Sequence, residues 1–384
     1  MKKKLLIATD NFLPRWDGIA RFLLEVLPAL SKKYDITLLA PKFEGSRHIE
    51  EMENIAMTNI IRIPTFKFVI GDFTPAKFEF RLIAKHVKEA DFVWTQTIGP
   101  IGGAAIYIAR KQNKKIMAYV HSVEWELVSK SIGVHEIFKK SARGITKKIA
   151  QFLYNRCDIM LVPSLEVAEI MSWQKIKTKK KVVHLGTDTK KFVPPKSRDE
   201  AKKNLGIDAS KKVVGFVGRL GREKSLITLH RAFLRIHKKR DDIVLLIVGD
   251  GVPEIRRLFE NKSGIIFVGS QDNVVPYLQA MDIFVLPSLT ETSSLATMEA
   301  MACECAVITT PVGYVKDYII EGYNGMFFPQ KEFFVLSKKI EKLLDDEKLV
   351  RKLGENGRKT IVNQYSWERT IKEIGDAIDG LVEK

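Results

Sequence analysis

Short apolar runs alternate along the chain with longer stretches in which apolar residues recur every three or four positions. That is the pattern of strands joined by helices. The strand candidates in the first half are residues 5–9, 36–40, 59–63, 92–95, 116–121 and 159–163. Those in the second half are 213–218, 243–249, 265–268, 283–287 and 306–310. Nearly continuous apolar strands between amphipathic helices such as 19–30 predict an α/β fold with parallel sheets covered on both faces. The 384 residues exceed the ~250–300 at which a single core stops growing, so two domains are expected.

An internal echo supports the division. Residues 158–165 and 282–289 agree at five of eight positions, each an Asp opening a buried strand and a Pro-Ser closing it. The reading is that two similar halves place equivalent strands a domain length apart; convergence on a common strand-end pattern is the alternative. Pro194-Pro195 and the charged run 196–203 read as a hinge. Residues 1–188 are therefore expected to form one domain and 189–363 a second, with 364–384 as a separate helix opening at Tyr365-Ser366-Trp367.

Composition narrows the class. Hydrophobic residues at 45% and charged residues at 28% exclude a disordered chain. No apolar run approaches the ~18–20 residues needed to cross a bilayer. The basic start Met1–Lys4 is followed by apolar residues only as far as Ala8, which reads as a first strand and not as an export signal. Three cysteines, Cys157, Cys303 and Cys305, make no disulfide framework and favour a reducing compartment. Cys303-Glu304-Cys305 reads as small core residues beside a strand and not as a metal site. The net charge of +17 suits phosphate-rich partners: nucleic acid, an anionic membrane or a charged small substrate.

Three motifs carry chemistry. Glu291 and Glu299 lie eight apart, with a helix start expected at Ser293-Ser294-Leu295. Eight helical residues rise roughly 12 Å, comparable with the span from sugar to ribose in a nucleotide-sugar. A helix N-terminus between them would offer N–H groups to a diphosphate, and each carboxylate could accept hydroxyl hydrogen bonds from a diol. The bland alternative is two exposed helix acids. A buried strand running through Gly215 and Gly218 leads to Arg219 and Lys224, two cations suited to phosphate, or else to a solvated turn. Near the N-terminus a strand, a loop and Gly18 precede a helix. That glycine suits close backbone approach to phosphate, or a simple helix start.

Together these residues resemble the family 4 retaining glycosyltransferases of the GT-B fold. The likeness runs from the Gly18 loop through the strand ending at His121, His184–Asp188, Arg219 to Lys224, Gly249-Asp250-Gly251 and the Glu pair to the tail from Tyr365. The resemblance implies two Rossmann-like domains facing across a cleft, with the C-terminal helix returning to the first. It also implies that Arg219 and Lys224 neutralise the donor diphosphate, Glu299 binds ribose, Glu291 meets the donor sugar and His121 stands beside it. Gly18, Gly218, Ser293, Ser294 and Leu295 would complete the donor site. Asp17 stands where the family has one of two adjacent glycines, and Ser293-Ser294 where it usually has Phe-Gly. Glu304 and Ala306 replace a common Gly and Pro.

The expected activity is transfer of a hexose from a UDP- or GDP-linked donor to a lipid or glycan acceptor, with retention of configuration implied by the resemblance alone. No Asp-x-Asp pair closes a strand, so neither a metal nor another cofactor is expected. The competing readings are a GT-B epimerase, an inactive sugar-binding relative and a nucleic-acid-binding protein. The dispersed basic residues and the lack of a zinc-finger or RNP-like pattern speak against the last.

One segment points further. Residues 129–157 carry seven Lys/Arg and one acid, Glu136. On a helical wheel Phe138, Ala142, Ile145, Ile149, Phe152 and Leu153 share a face, with Lys139, Lys140, Arg143 and Lys147 opposite. The expectation is that the apolar face packs on the sheet while the basic edge meets an anionic membrane, placing the protein in the cytoplasm and on the inner face of its membrane.

Overall fold

The computed structural model describes residues 2–15, 17–43, 58–68, 74–126, 136–291 and 293–382, with the side chains of 136–139 outside the description. The chain divides into two compact units, Met1–His184 with Thr370–Lys384, and Leu185–Arg369. The chain leaves the first unit four residues before the expected boundary and re-enters it at Thr370, within the last helix. Just inside the second unit the two crossing segments pack closely: a side chain on Gly186 would lie 2.4 Å from the Ser366 backbone. There the outgoing and returning strands touch, through Thr187 N to Tyr365 O at 2.9 Å.

The first unit holds β1 (Lys3–Ala8), β2 (Tyr34–Lys42), β3 (Asn59–Pro64), β4 (Phe92–Thr95), β5 (Lys115–Tyr119), β6 (Ile159–Val162) and β7 (Lys179–Val182). They form one parallel sheet in the order β3-β2-β1-β4-β5-β6-β7. Leu5 to Ala8 and all of β4 are buried, as a sheet covered on both faces requires. The last helix, Trp367–Val382, buries Ile374 and Ile378 and fixes its end by pairing Asp379 with Lys33 and with the Tyr34 hydroxyl, the latter at 2.8 Å.

The second unit holds β8 (Lys212–Val217), β9 (Ile243–Val248), β10 (Ile265–Phe267), β11 (Ile283–Leu286), β12 (Ala306–Thr309) and β13 (Met326–Phe327). Their order is β10-β9-β8-β11-β12-β13, again parallel. Both sheets reverse direction beside their first strand, the doubly wound plan whose ligands meet the carboxyl ends of the strands. Cys303 and Cys305 are free and buried in this core, with the Cys305 thiol donating to Leu278 O.

The internal echo has a different origin from the one expected. Counting outward from the first strand of each sheet, β11 corresponds to β4, not to β6. The shared Asp nevertheless does one job in all three places. Asp282 accepts from Val213 N at 2.7 Å, Asp158 from Ile116 N at 2.8 Å and Asp91 from Lys4 N at 2.7 Å. Each carboxylate satisfies the N–H of the second residue of a neighbouring parallel strand. The closing serines differ: Ser164 caps the helix Leu165–Trp173 by accepting from Val167 N, whereas Ser288 donates to Glu291.

Candidate active site

In the second unit β8 ends at Gly218, whose φ of +148° only glycine adopts readily. A Cβ on the neighbouring Gly249 would lie 1.9 Å from Gly218 O, so the two strand ends meet as bare backbone. Leu220 N donates to Asp250 O and Val252 N to Leu220 O, at 2.9 and 3.0 Å. Gly249-Asp250-Gly251 is thus the turn that clamps the loop carrying the cations.

That loop closes with a single 3-10 turn, Arg222–Lys224, and enters the helix Leu226–His237 through Ser225 in the left-handed region. Arg219 Nη2 lies 2.7 Å from Glu223 Oε1, with more than half of the arginine side chain exposed. Lys224 Nζ lies 2.6 Å from Glu291 Oε1, and both of these side chains are largely covered. Ser288 Oγ donates to the same carboxylate oxygen at 2.6 Å, and Leu289 N to Glu223 O at 2.7 Å. A largely desolvated ammonium is costly unless paired, and here Glu291 supplies the counter-charge. A diphosphate brought to Lys224 would compete with a carboxylate already in place.

The Glu pair departs from the helical spacing expected of it. The helix is Leu295–Ala302, so Glu299 is on it while Glu291 precedes it in the loop, and the helical-rise estimate of their separation does not apply. Glu299 is only 2% exposed. Ser294 caps the helix at φ +43°, and its hydroxyl lies 2.7 Å from Thr297 Oγ1. Ser293 is buried, its hydroxyl without a partner among the described residues. The Tyr318 hydroxyl braces this turn by donating towards Ser293 O and Ser294 O at 3.3 and 3.4 Å. Leu295 opens the helix and is half-buried.

In the first unit His121 follows β5 by two residues. Its Nε2 lies 2.8 Å from Gln96 Oε1, so Nε2 carries the hydrogen and Gln96 accepts. Phe22 and Tyr119 flank the imidazole with ring centroids at 4.9 and 4.6 Å. Desolvation pushes the His121 pKa down to about 3, which makes it a neutral hydrogen-bonding group and not a cation. At the start of the helix Gly18–Leu30, Asp17 accepts from Ile19 N and Ala20 N at 3.0 and 2.9 Å and from the Asn11 amide. These two N–H groups are taken by a carboxylate and are not open to a phosphate. Nothing lies within 4 Å of a Cβ built on Gly18, so packing does not demand glycine there.

Two family models match the chain in succession, Glycosyltransferase Family 4 over residues 16–191 and Glycosyl transferases group 1 over residues 197–360. The chain belongs to the family 4 glycosyltransferases. The transferase is 28% identical to a GDP-mannose-dependent alpha-mannosyltransferase of Corynebacterium glutamicum, over 90% of this chain and 81% of that protein. It is 25% identical to an alpha-monoglucosyldiacylglycerol synthase of Streptococcus pneumoniae, over 83% and 74% respectively. Its fold matches that of HepE from Anabaena, solved in complex with UDP, with a TM-score of 0.78 at 16% identity over 99% and 100% of the two chains.

Three residues of the transferase escaped the sequence reading. Gln96 orients His121 from the end of another strand, a contact no local pattern announces. Asp10 is buried and caps the helix Pro100–Lys111, accepting from Thr97 Oγ1, Ile101 N and Gly102 N. Glu124, three residues after His121, is held by the Tyr154 hydroxyl, and burial raises its pKa to about 7. Among the described residues no group of three or more His, Cys, Asp or Glu could hold a metal ion.

Proposed function

We propose that the enzyme moves a hexose from a nucleoside-diphosphate sugar to a hydroxyl of a lipid or lipid-linked acceptor, with retention of configuration and without a metal. The observation that carries the donor half is the Lys224–Glu291 pair at 2.6 Å beside Arg219 and the buried Glu299. The donor diphosphate takes Lys224 and Arg219, which stabilise the charge that develops on the leaving group. Its arrival releases Glu291, whose oxygens then accept hydroxyl hydrogens of the sugar. Glu299 accepts from the ribose diol; His121, neutral and oriented by Gln96, is the first unit's candidate for a hydrogen bond to a sugar hydroxyl. The lipid class of acceptor is favoured by the diacylglycerol synthase among the relatives. No helix among the described residues is long and apolar enough to cross a membrane. The lipid in that relative's name is our reason for placing the enzyme at the membrane surface, on the cytoplasmic side.

Incubation with UDP-, GDP- and ADP-hexoses, with and without diacylglycerol, followed by mass spectrometry tests this reading. One donor should raise the melting temperature, as a ligand of the native state does, and lose its hexose to the lipid. Conversion of the donor sugar to an isomer would instead identify an epimerase. A panel in which no donor is bound or consumed would remove the proposal.

A further inference from the structure

The helix Glu136–Tyr154 packs through a different face from the one its apolar pattern suggests. Ala150, Leu153 and Tyr154 are buried, with Cys157 just beyond the helix end. Ile145, Ile149 and Phe152, expected on the sheet, are 62, 46 and 48% exposed. At about 100° per residue these three and Arg156 fall within an arc of roughly 60°, a continuous outward stripe. The helix Pro100–Lys111 widens it: Tyr107 is 37% exposed and its ring stacks on Phe152 at 6.4 Å.

Cations frame the stripe. Arg156 Cζ lies 3.5 Å from the Phe152 ring centre and Lys111 Nζ 4.6 Å from that of Tyr107. On the same helix the exposed Lys148 flanks the stripe, whereas Lys140, Arg143 and Lys147 stand on the opposite side and the Lys139 side chain lies outside the described residues. No Asp or Glu occurs between residues 137 and 156. The nearest following acid, Asp158, faces Arg110 at 3.8 Å and accepts from Ile116 N. Aliphatic and aromatic tips outward, ringed by one sign of charge, are the composition of an interfacial helix. A protein partner of ordinary composition would meet several unpaired cations.

We propose that the stripe Ile145–Ile149–Phe152 with Tyr107 inserts into the head-group region of an anionic bilayer while Lys111, Lys148 and Arg156 meet the lipid phosphates. This deepens the lipid-acceptor reading and rests on it for its purpose, though not for the contact itself. Insertion of apolar side chains goes beyond basic-edge attraction, and it separates the two contributions by their response to salt.

Flotation of the full chain with phosphatidylcholine vesicles, with and without phosphatidylglycerol, tests it. Wild type should float only with the anionic vesicles. Lys111→Gln/Lys148→Gln should weaken binding roughly thirtyfold, at about 1 kcal/mol per charge. Ile149→Ser/Phe152→Ser should weaken it at low and high salt alike. Both variants change exposed side chains, and circular dichroism confirms that they fold. Donor hydrolysis in the absence of lipid should be unchanged in both. Wild type that ignores anionic vesicles, or a serine variant that floats as well as wild type, would overturn the proposal. So would concentration-dependent dimerisation lost in the serine variant without any vesicle binding. Vesicle binding without glycosylation of the lipid would sink the acceptor reading and leave the docking surface standing.

Discussion

Lys224 and Glu291 neutralise each other at 2.6 Å, and this pairing sets what each substitution should do. Glu291→Gln removes the counter-charge but leaves the lysine for phosphate, so free nucleoside diphosphate should bind at least as well while sugar transfer falls. Glu299→Gln turns one hydroxyl acceptor into a donor and should chiefly weaken nucleotide binding. Calorimetry that found equal losses of nucleotide affinity in both variants would contradict the division of roles. Glu124 supplies a pH dependence. Its folded pKa of about 7 lies above its unfolded value, so the folded state holds the proton longer. The contribution is then fully present below about pH 4.5 and is lost as pH rises through about 7, by on the order of 3 kcal/mol. Relative to wild type, Glu124→Gln should gain thermal stability between pH 5 and 8; equal slopes for both proteins would refute this. Arg219 and Lys224 were legible because strand, glycine and cation follow one another in sequence. Asp17 was visible only as a departure, and Gln96 not at all, because its partner lies 25 residues away.

At the scale of elements, local pattern located most strands and failed where periodicity permits two answers. The 136–154 helix offers two faces with apolar residues, and only the packing beneath it, the helix Pro100–Lys111 included, chooses Ala150, Leu153 and Tyr154 over Ile145, Ile149 and Phe152. Strand β7 reads Lys179-Lys180-Lys181-Val182, an edge strand whose charges conceal it, and β13 has two residues. The donor-side helix starts where its serines suggest, at Leu295, with Ser294 as a left-handed cap. A non-glycine residue there is strained, while exchanging a serine cap for glycine costs only a few tenths of a kcal/mol. Ser294→Gly should therefore stabilise the protein by about 0.5–1 kcal/mol, read as a higher denaturant midpoint. An unchanged or lower midpoint would show that the hydroxyl contact to Thr297 outweighs the strain.

For the whole molecule, alternating strand and helix patterns announced two parallel α/β units, and the strand order completes that reading with both sheets turning outward from β1 and β8. The echo of residues 158–165 at 282–289 was a sound observation with a different cause. Wherever a buried strand begins beside another, an Asp can satisfy an N–H at the neighbour's second residue, as Asp91, Asp158 and Asp282 all do. The point at which the chain re-enters its first unit was not legible, because the helix containing Thr370 runs on without a break in its pattern. The central claim is that fixed cations of the second unit neutralise a departing nucleoside diphosphate. Single-turnover rates for wild type and Lys224→Ala, with the preferred donor and with or without EDTA, test it most directly. The variant should be slower by roughly 10²–10³ with its fold intact, and EDTA should leave the wild-type rate unchanged. A variant within threefold of wild type, or a wild-type rate abolished by EDTA, would contradict the account.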